Sequence, residues 1–223
     1  MRRRHLLALL AVAAAAPGEV LAGAPQTFPI DKAFPFLAAY LTLPVADRSR
    51  FYLAYRAMRD KHPVSDGRAT IIGPGSARTP VAFDRVGEVT HLPSLAELKS
   101  GASVEIDSAP FQFGLELRCA MACATRLDVV QLSLALAQVN QAAVKAAGPL
   151  SLVIPKFTTA YFPDAGSAQA VMGDGRATAL PVVAVPNIGP VPYIEPAAIA
   201  GARTVQLARA PSRILLGGHP KKT

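Results

Sequence analysis

The chain has 223 residues, 51% of them hydrophobic and 17% charged, with a formal net charge of +8 and no tryptophan. A composition so apolar and so sparingly charged is that of a chain with a packed core, and it argues against disorder. Its basic residues are scattered rather than interleaved with aromatics, which argues against nucleic acid as a partner.

The N-terminus reads as an export signal. Arg2, Arg3 and Arg4 precede an apolar run from Leu6 to Ala16, about half the ~20 residues needed to cross a bilayer core. Val20-Leu21-Ala22 and Ala22-Gly23-Ala24 offer peptidase sites. Cleavage after Ala22 is preferred, because cutting after Ala24 would put Pro25 first. A retained membrane anchor is the alternative, and Arg3-Arg4 leaves the twin-arginine route open. "LAGA" also resembles a lipoprotein signal in which Ala24 stands in place of the lipidated cysteine. Removing residues 1–22 lowers the net charge from +8 to about +6, since three arginines and Glu19 leave with them. The expected product is periplasmic or secreted and not an integral membrane protein. Its basic balance suits an anionic envelope polymer or another envelope protein as partner.

Beyond the signal, prolines and glycines punctuate β-type alternation. Strands are predicted over 34–43 and 50–59, joined by Ala46-Asp47-Arg48-Ser49, with Phe51, Leu53, Tyr55 and Ala57 on one face. Further strands are expected over 68–72, 79–83, 88–92, 102–106 and 111–117, separated by glycine turns such as Ser65-Asp66-Gly67 and Asp84-Arg85-Val86-Gly87. A single long helix is predicted over about 126–147. Thr125 and Asp128 stand at capping-box spacing, and Gly148-Pro149 would end it. Val129, Leu132, Leu136, Val139 and Ala143 form a stripe that should lie on a sheet, while Leu127, Val130 and Leu134 project from the other side as a possible apolar partner face. "QLSLALA" also alternates like a strand, but length and caps favour the helix. Strands follow over 150–154 and 158–162. The fold class expected is α+β, mainly β: antiparallel β-sandwich units with one long helix packed on a sheet.

Three collinear echoes suggest a repeat. Asp66-Gly67-Arg68-Ala69-Thr70 recurs as Asp174-Gly175-Arg176-Ala177-Thr178. Gly87 to Leu92 is echoed by Gly189 to Ile194, and Gly101 to Pro110 by Gly201 to Pro211. The organisation expected is a signal over 1–22, a first β unit over 28–121, a connecting helix over 125–148, a second unit over 150–216 as a possible diverged repeat, and a flexible tail over 217–223. The run from Thr79 to Val89, in which a strand ends in Asp84 and turns through Gly87 into the next, resembles the transthyretin-like or carboxypeptidase-regulatory β-sandwich modules over about residues 79–106. That resemblance implies an architecture, and for the class mostly non-catalytic spacer or binding roles.

Cys119 and Cys123 are the two cysteines. Outside the cytoplasm thiols tend to pair, and the favoured reading is a disulfide that closes a tight bend. Free thiols, or a redox or metal role, are the alternatives. The C-x₃-C spacing is not that of a thioredoxin-like motif, and no histidine lies near to complete a zinc site. Neither a nucleophile-elbow serine nor a Ser-x-x-Lys pair occurs. Gly73-Pro74-Gly75-Ser76 and Gly173-Asp174-Gly175 read as turns, not phosphate loops. His62, His91 and His219 offer no H-x-x-x-H spacing for a metal. Asp84 with Glu88, and Glu105 with Asp107 on one strand face, could pair, and Glu116 stands alone. Arg48, Arg50, Arg56 and Arg59 cluster on the first predicted hairpin; the first three share parity and could contact an anion, although a solvated strand face is the favoured reading. No cofactor and no metal are expected. The function read from these features is a non-catalytic envelope binding or scaffolding protein. A hydrolase assembled from distant loops, and a lipid- or polypeptide-binding chaperone using the spare helix face, are the alternatives.

Overall fold

The computed structural model describes residues 25–60, 62–106, 109–147, 156–185 and 188–220. The predicted signal at 1–22, the helix stop at Gly148-Pro149, the strand predicted over 150–154 and Asp107 lie outside them. In chain order the first half runs β1 (Gln26–Pro29), α1 (Ile30–Ala33), α2 (Leu37–Thr42), β2 (Phe51–Arg59), β3 (His62–Pro63), β4 (Ala69–Ile72), β5 (Arg78–Pro80), α3 (Leu95–Lys99), β6 (Ser103–Ile106) and β7 (Gln112–Cys119). The second runs β8 (Arg126–Asp128), α4 (Val129–Ala147), β9 (Thr159–Tyr161), β10 (Ala168–Met172), β11 (Ala177–Ala179), β12 (Val182–Val185), β13 (Gly189–Ile194), β14 (Ala202–Leu207) and β15 (Leu215–Gly217). The fold is mainly β, with antiparallel sheets and one long helix, as the sequence predicts.

The two halves repeat one topology. Each builds a four-stranded sheet, ordered β1-β6-β4-β5 in the first and β8-β14-β10-β11 in the second. Their registers correspond: Phe28 faces Val104 as Leu127 faces Val205, and Ile72 faces Arg78 as Val171 faces Ala177. Both halves also feed one central sheet of order β12-β13-β9-β15-β7-β2-β3, joined where Arg118 of β7 faces Leu215 of β15. On the first side β2 pairs with β7 and a bridge links Arg56 to Glu88. On the second, β9 pairs with β15, and Tyr161 faces Tyr193 of β13. The hydrogen bond from Ala57 N–H to Gly87 O thus matches that from Phe162 N–H to Pro192 O. An approximate two-fold axis therefore passes between β7 and β15. Gly189 lies three residues before Pro192, the counterpart of Gly87, so of the three sequence echoes the Gly101 to Gly201 one falls on equivalent positions, both with positive φ. The identical pentamer does not: its first copy enters β4, its second enters β11.

Each half buries its own core. Ile30, Leu37, Tyr55, Val104 and Phe113 centre the first; Leu132, Phe162, Ile194, Val205 and Ile214 centre the second. The alternation in β2 behaves as predicted, with Phe51, Leu53, Tyr55 and Ala57 buried. In α4 the predicted stripe of Val129, Leu132, Leu136 and Val139 is buried, each fully covered aliphatic contributing about 1.5–3 kcal/mol.

Three expectations need correction. The segment 34–43 is not a strand: Leu37, Tyr40 and Leu41 stand at helical spacing between Pro35 and Pro44, and Leu37 is buried under α2. Thr125 and Asp128 form no capping box. Residues 126–128 are strand β8, and Asp128 itself caps α4, its Oδ1 accepting from Val130 N–H at 2.7 Å and Gln131 N–H at 3.1 Å. Leu127 is consequently buried opposite Val205 and lies on no partner face, while Val130 and Leu134 are exposed. The 79–83 and 88–92 strands shrink to β5 and two bridges, Phe83 to Val89 and Arg56 to Glu88. There Asp84 folds the turn by accepting from the N–H groups of Val86 and Glu88.

Candidate anion-binding site

The inner face of β2 and β7 is apolar, so alternation sends Tyr52, Arg56, Glu116 and Arg118 to the opposite face. Glu88 joins them through its bridge to Arg56, and Arg213 enters just before β15. Three arginines and two glutamates thereby meet beside the two-fold axis. Arg118 is at the centre, its side chain only 8% exposed. Its Nη1 and Nη2 donate to Glu88 Oε1 and Oε2 at 3.0 and 2.7 Å, a bidentate pair, and its Nε and Nη2 donate to Glu116 Oε2 at 2.8 and 2.6 Å. Burial alone would lower the pKa of Arg118; the charges and hydrogen bonds of the two carboxylates outweigh it and raise the value instead.

Arg56 and Arg213 are served less well. Arg56 stands 3.9 Å from Glu88 Oε2 and 3.8 Å from Glu116 Oε1, and Arg213 Nε stands 3.2 Å from Glu116 Oε2. Despite that close approach, the Nε of Arg213, like that of Arg56, is buried and makes no hydrogen bond. A charge contact at 3.2 Å with a poor angle is an ion pair, not a satisfied donor. Burial first, then repulsion from Arg56 and Arg118, pushes the pKa of Arg213 below its ordinary value despite the pull of Glu116. Among these five side chains there is one more cation than anion, with Asp164 also attracting Arg213, and two buried donors lack acceptors. Such groups are costly unless something fills them.

The second half places other residues at the equivalent positions. Where Arg56 meets Glu88, Tyr161 meets Tyr193, with ring centroids 5.8 Å apart. Tyr161 Oη donates to Gly218 O at 2.5 Å, and burial raises its pKa. Nearby, Glu195 contacts His219 Nδ1 and accepts from Thr159 Oγ1 at 3.4 Å.

Of the residues flagged in sequence, Arg56, Glu88 and Glu116 reach this cluster. Arg48 stacks over the Tyr40 ring at 5.0 Å and donates to Leu43 O; Arg50 donates to Gln131 of α4. Arg59 donates to Ala109 O and Pro110 O. Glu105 pairs with Arg78 across the first sheet. His62 and His91 are exposed, and His91 contacts only Thr90. Arg118 and Arg213 were missed, although the unbroken β7 pattern with Glu116 and Arg118 two apart on an otherwise apolar strand was a readable sign. Cys119 is buried at the end of β7 and Cys123 is exposed; the two thiols are not bonded in the structure. Among the described residues no group of metal-ligating side chains converges and no helix is long and apolar enough to cross a membrane. No family model, curated protein or solved structure matches the chain.

Proposed function

We propose that the chain is an exported, two-unit, non-catalytic binding protein whose ligand carries a carboxylate or phosphate, taken by Arg56 and Arg213 beside the anchored Arg118. One observation carries this reading: buried Nε donors on two arginines lack acceptors in a cluster with surplus positive charge. An oxyanion brought to that cluster would pair with the guanidinium groups of Arg56 and Arg213 and offset their charge. Arg118 positions the ensemble rather than serving the ligand, because its donors are committed to Glu88 and Glu116.

A hydrolytic role has less support. The nearest thing to a catalytic constellation is Thr159, Glu195 and His219, but the carboxylate stands between the hydroxyl and the imidazole, and it accepts from the Thr159 hydroxyl only at 3.4 Å. The cysteine staple belongs to the same proposal, since an oxidising compartment would close Cys119 to Cys123. The test is calorimetric titration with polyphosphate and oligogalacturonate at low salt. Saturable binding that weakens with rising ionic strength supports the reading; absence of binding to either polyanion sinks it.

A further inference from the structure

The two halves present unlike chemistry at matching positions on one continuous face. The matching is set by register. Arg56 and Glu88 bridge on the first side, as Tyr161 and Tyr193 pair on the second. Leu115 faces Tyr55 as Leu216 faces Ala160, so Glu116 corresponds to Gly217. The glycine has a physical reason: a Cβ there would stand 3.0 Å from Cε2 of Tyr161, so the tyrosine ring lies over the bare backbone of β15. Charge is thereby removed from the second side and a pair of rings put in its place.

The rings share one row across the central sheet with the positioning Arg118, since Tyr52, Arg118, Leu215, Tyr161 and Tyr193 are successive register partners; Arg213 stands two residues before Leu215 in this row and Arg56 four residues along β2 from Tyr52. With strands about 4.8 Å apart, Tyr161 starts about 10 Å from Arg118 and Tyr193 about 15 Å. Tyr52, 40% exposed, closes the row beyond the arginines. Beside the rings, Thr159, Glu195 and His219 supply polar groups, with the His219 side chain 63% exposed. A ligand that lies along this row meets guanidinium at one end and ring faces with polar neighbours at the other.

Resting on the anion-binding reading above, we infer that the ligand is an acidic saccharide. Its carboxylate or phosphate sits at Arg56 and Arg213, and a following sugar ring lies on Tyr161 and Tyr193. Sugar rings combine an apolar face of C–H groups with hydroxyls at the rim, which is what a half-buried tyrosine pair bordered by carboxylate, imidazole and hydroxyl accommodates. A compact anion such as tripolyphosphate has no apolar face, so the rings would add nothing to its binding.

The experiment is calorimetric titration of the mature chain with trigalacturonate, tripolyphosphate and neutral galactotriose, repeated with Arg213→Met, Tyr193→Ala and the bulk-preserving Tyr193→Leu, each checked by circular dichroism for retained fold. The expected result is that trigalacturonate binds at least tenfold more tightly than galactotriose. Tyr193→Ala should weaken trigalacturonate at least fivefold and leave tripolyphosphate unchanged, and Arg213→Met should weaken both acids. If Arg213→Met weakens both acids while neither Tyr193 variant affects trigalacturonate, the saccharide inference falls and the anion reading stands. If galactotriose binds as well as trigalacturonate, the arginines are not the site and the anion reading falls. If no probe binds the unaltered chain, both fall.

Discussion

Two arginines of one cluster should respond in opposite ways to removal. Arg118→Met takes away four hydrogen bonds to Glu88 and Glu116, at 3.0, 2.7, 2.8 and 2.6 Å, from a side chain 8% exposed. Breaking a buried ion pair by removing one partner costs about 3–5 kcal/mol. Here Arg56 and Arg213 remain near both carboxylates, whose side chains are 24% and 20% exposed, so the loss should fall to about 2–3 kcal/mol. For a domain of this size that corresponds to a fall in Tm of about 4–12 °C. Arg213→Met takes away a cation repelled by Arg56 and Arg118 and leaves both hydrogen bonds of Glu116 to Arg118 in place. Replacing a poorly served buried charge with an apolar side chain of similar length should cost nothing, or stabilise by up to about 1 kcal/mol. Urea denaturation followed by far-ultraviolet circular dichroism measures both, tryptophan fluorescence being ruled out because the chain has no tryptophan. An Arg213→Met loss as large as that of Arg118→Met would make Arg213 a structural strut and refute the argument that it stores an unfilled charge.

Other perturbations follow from single contacts. Ser94 and Glu97 form a reciprocal cap on α3, and the Ser94 side chain first, then its backbone N–H, lowers the Glu97 pKa. A depressed carboxyl stabilises the fold above its ordinary range near ~4.3 and loses that contribution as pH falls through the folded value. Ser94→Ala should therefore cost about 1 kcal/mol at neutral pH, and its stability gap from the unaltered chain should narrow at pH 3; a constant gap in urea melts refutes the link. Gly87 and Gly189 both sit in turns at positive φ, 76° and 87°, but a Cβ on Gly87 would stand 2.2 Å from Val64 O whereas Gly189 is open. Gly189→Ala should cost about 1–2 kcal/mol of backbone strain, and Gly87→Ala distinctly more; equal melting shifts would contradict the structure. In reduced protein, the exposed Cys123 should alkylate well before the buried Cys119, whose thiol pKa burial raises. Equal labelling rates by mass spectrometry would refute that placement.

Local pattern made much of the fold legible. Period-two burial in β2 and the i, i+3, i+4 stripe of α4 were readable because each element has one wet face and one dry face. Residues 34–43 were misread because Leu37, Ala39 and Leu41 alternate as a strand would, while the helical spacing of Leu37, Tyr40 and Leu41 is equally present. Packing decided between them. Asp128 was recognised as a capping carboxylate but placed three residues too far into the helix, since nothing local shows that Leu127 pairs with Val205. The site was legible only in part. Arg56 could be flagged from its neighbours, but its association with Glu88, Glu116, Arg118 and Arg213 depends on strand order, and Arg213 comes from the far half of the chain. The turn echo at Gly101/Gly201 marked a real correspondence because positive φ demands glycine at both, whereas Gly189 falls three residues short of the counterpart of Gly87. The longer pentamer identity misled, because turn chemistry recurs wherever a strand begins.

The most direct test of a filled arginine cluster compares two variants that lose the same charge in different places. Arg213 is buried beside Glu116, whereas Arg176 is 81% exposed and pairs only with its neighbour Asp174. Titrated with oligogalacturonate at low salt, Arg213→Met should lose at least tenfold in affinity while Arg176→Met stays within twofold of the unaltered chain. Equal losses in both variants would mean that net charge alone attracts the polymer, and the proposed site would be wrong.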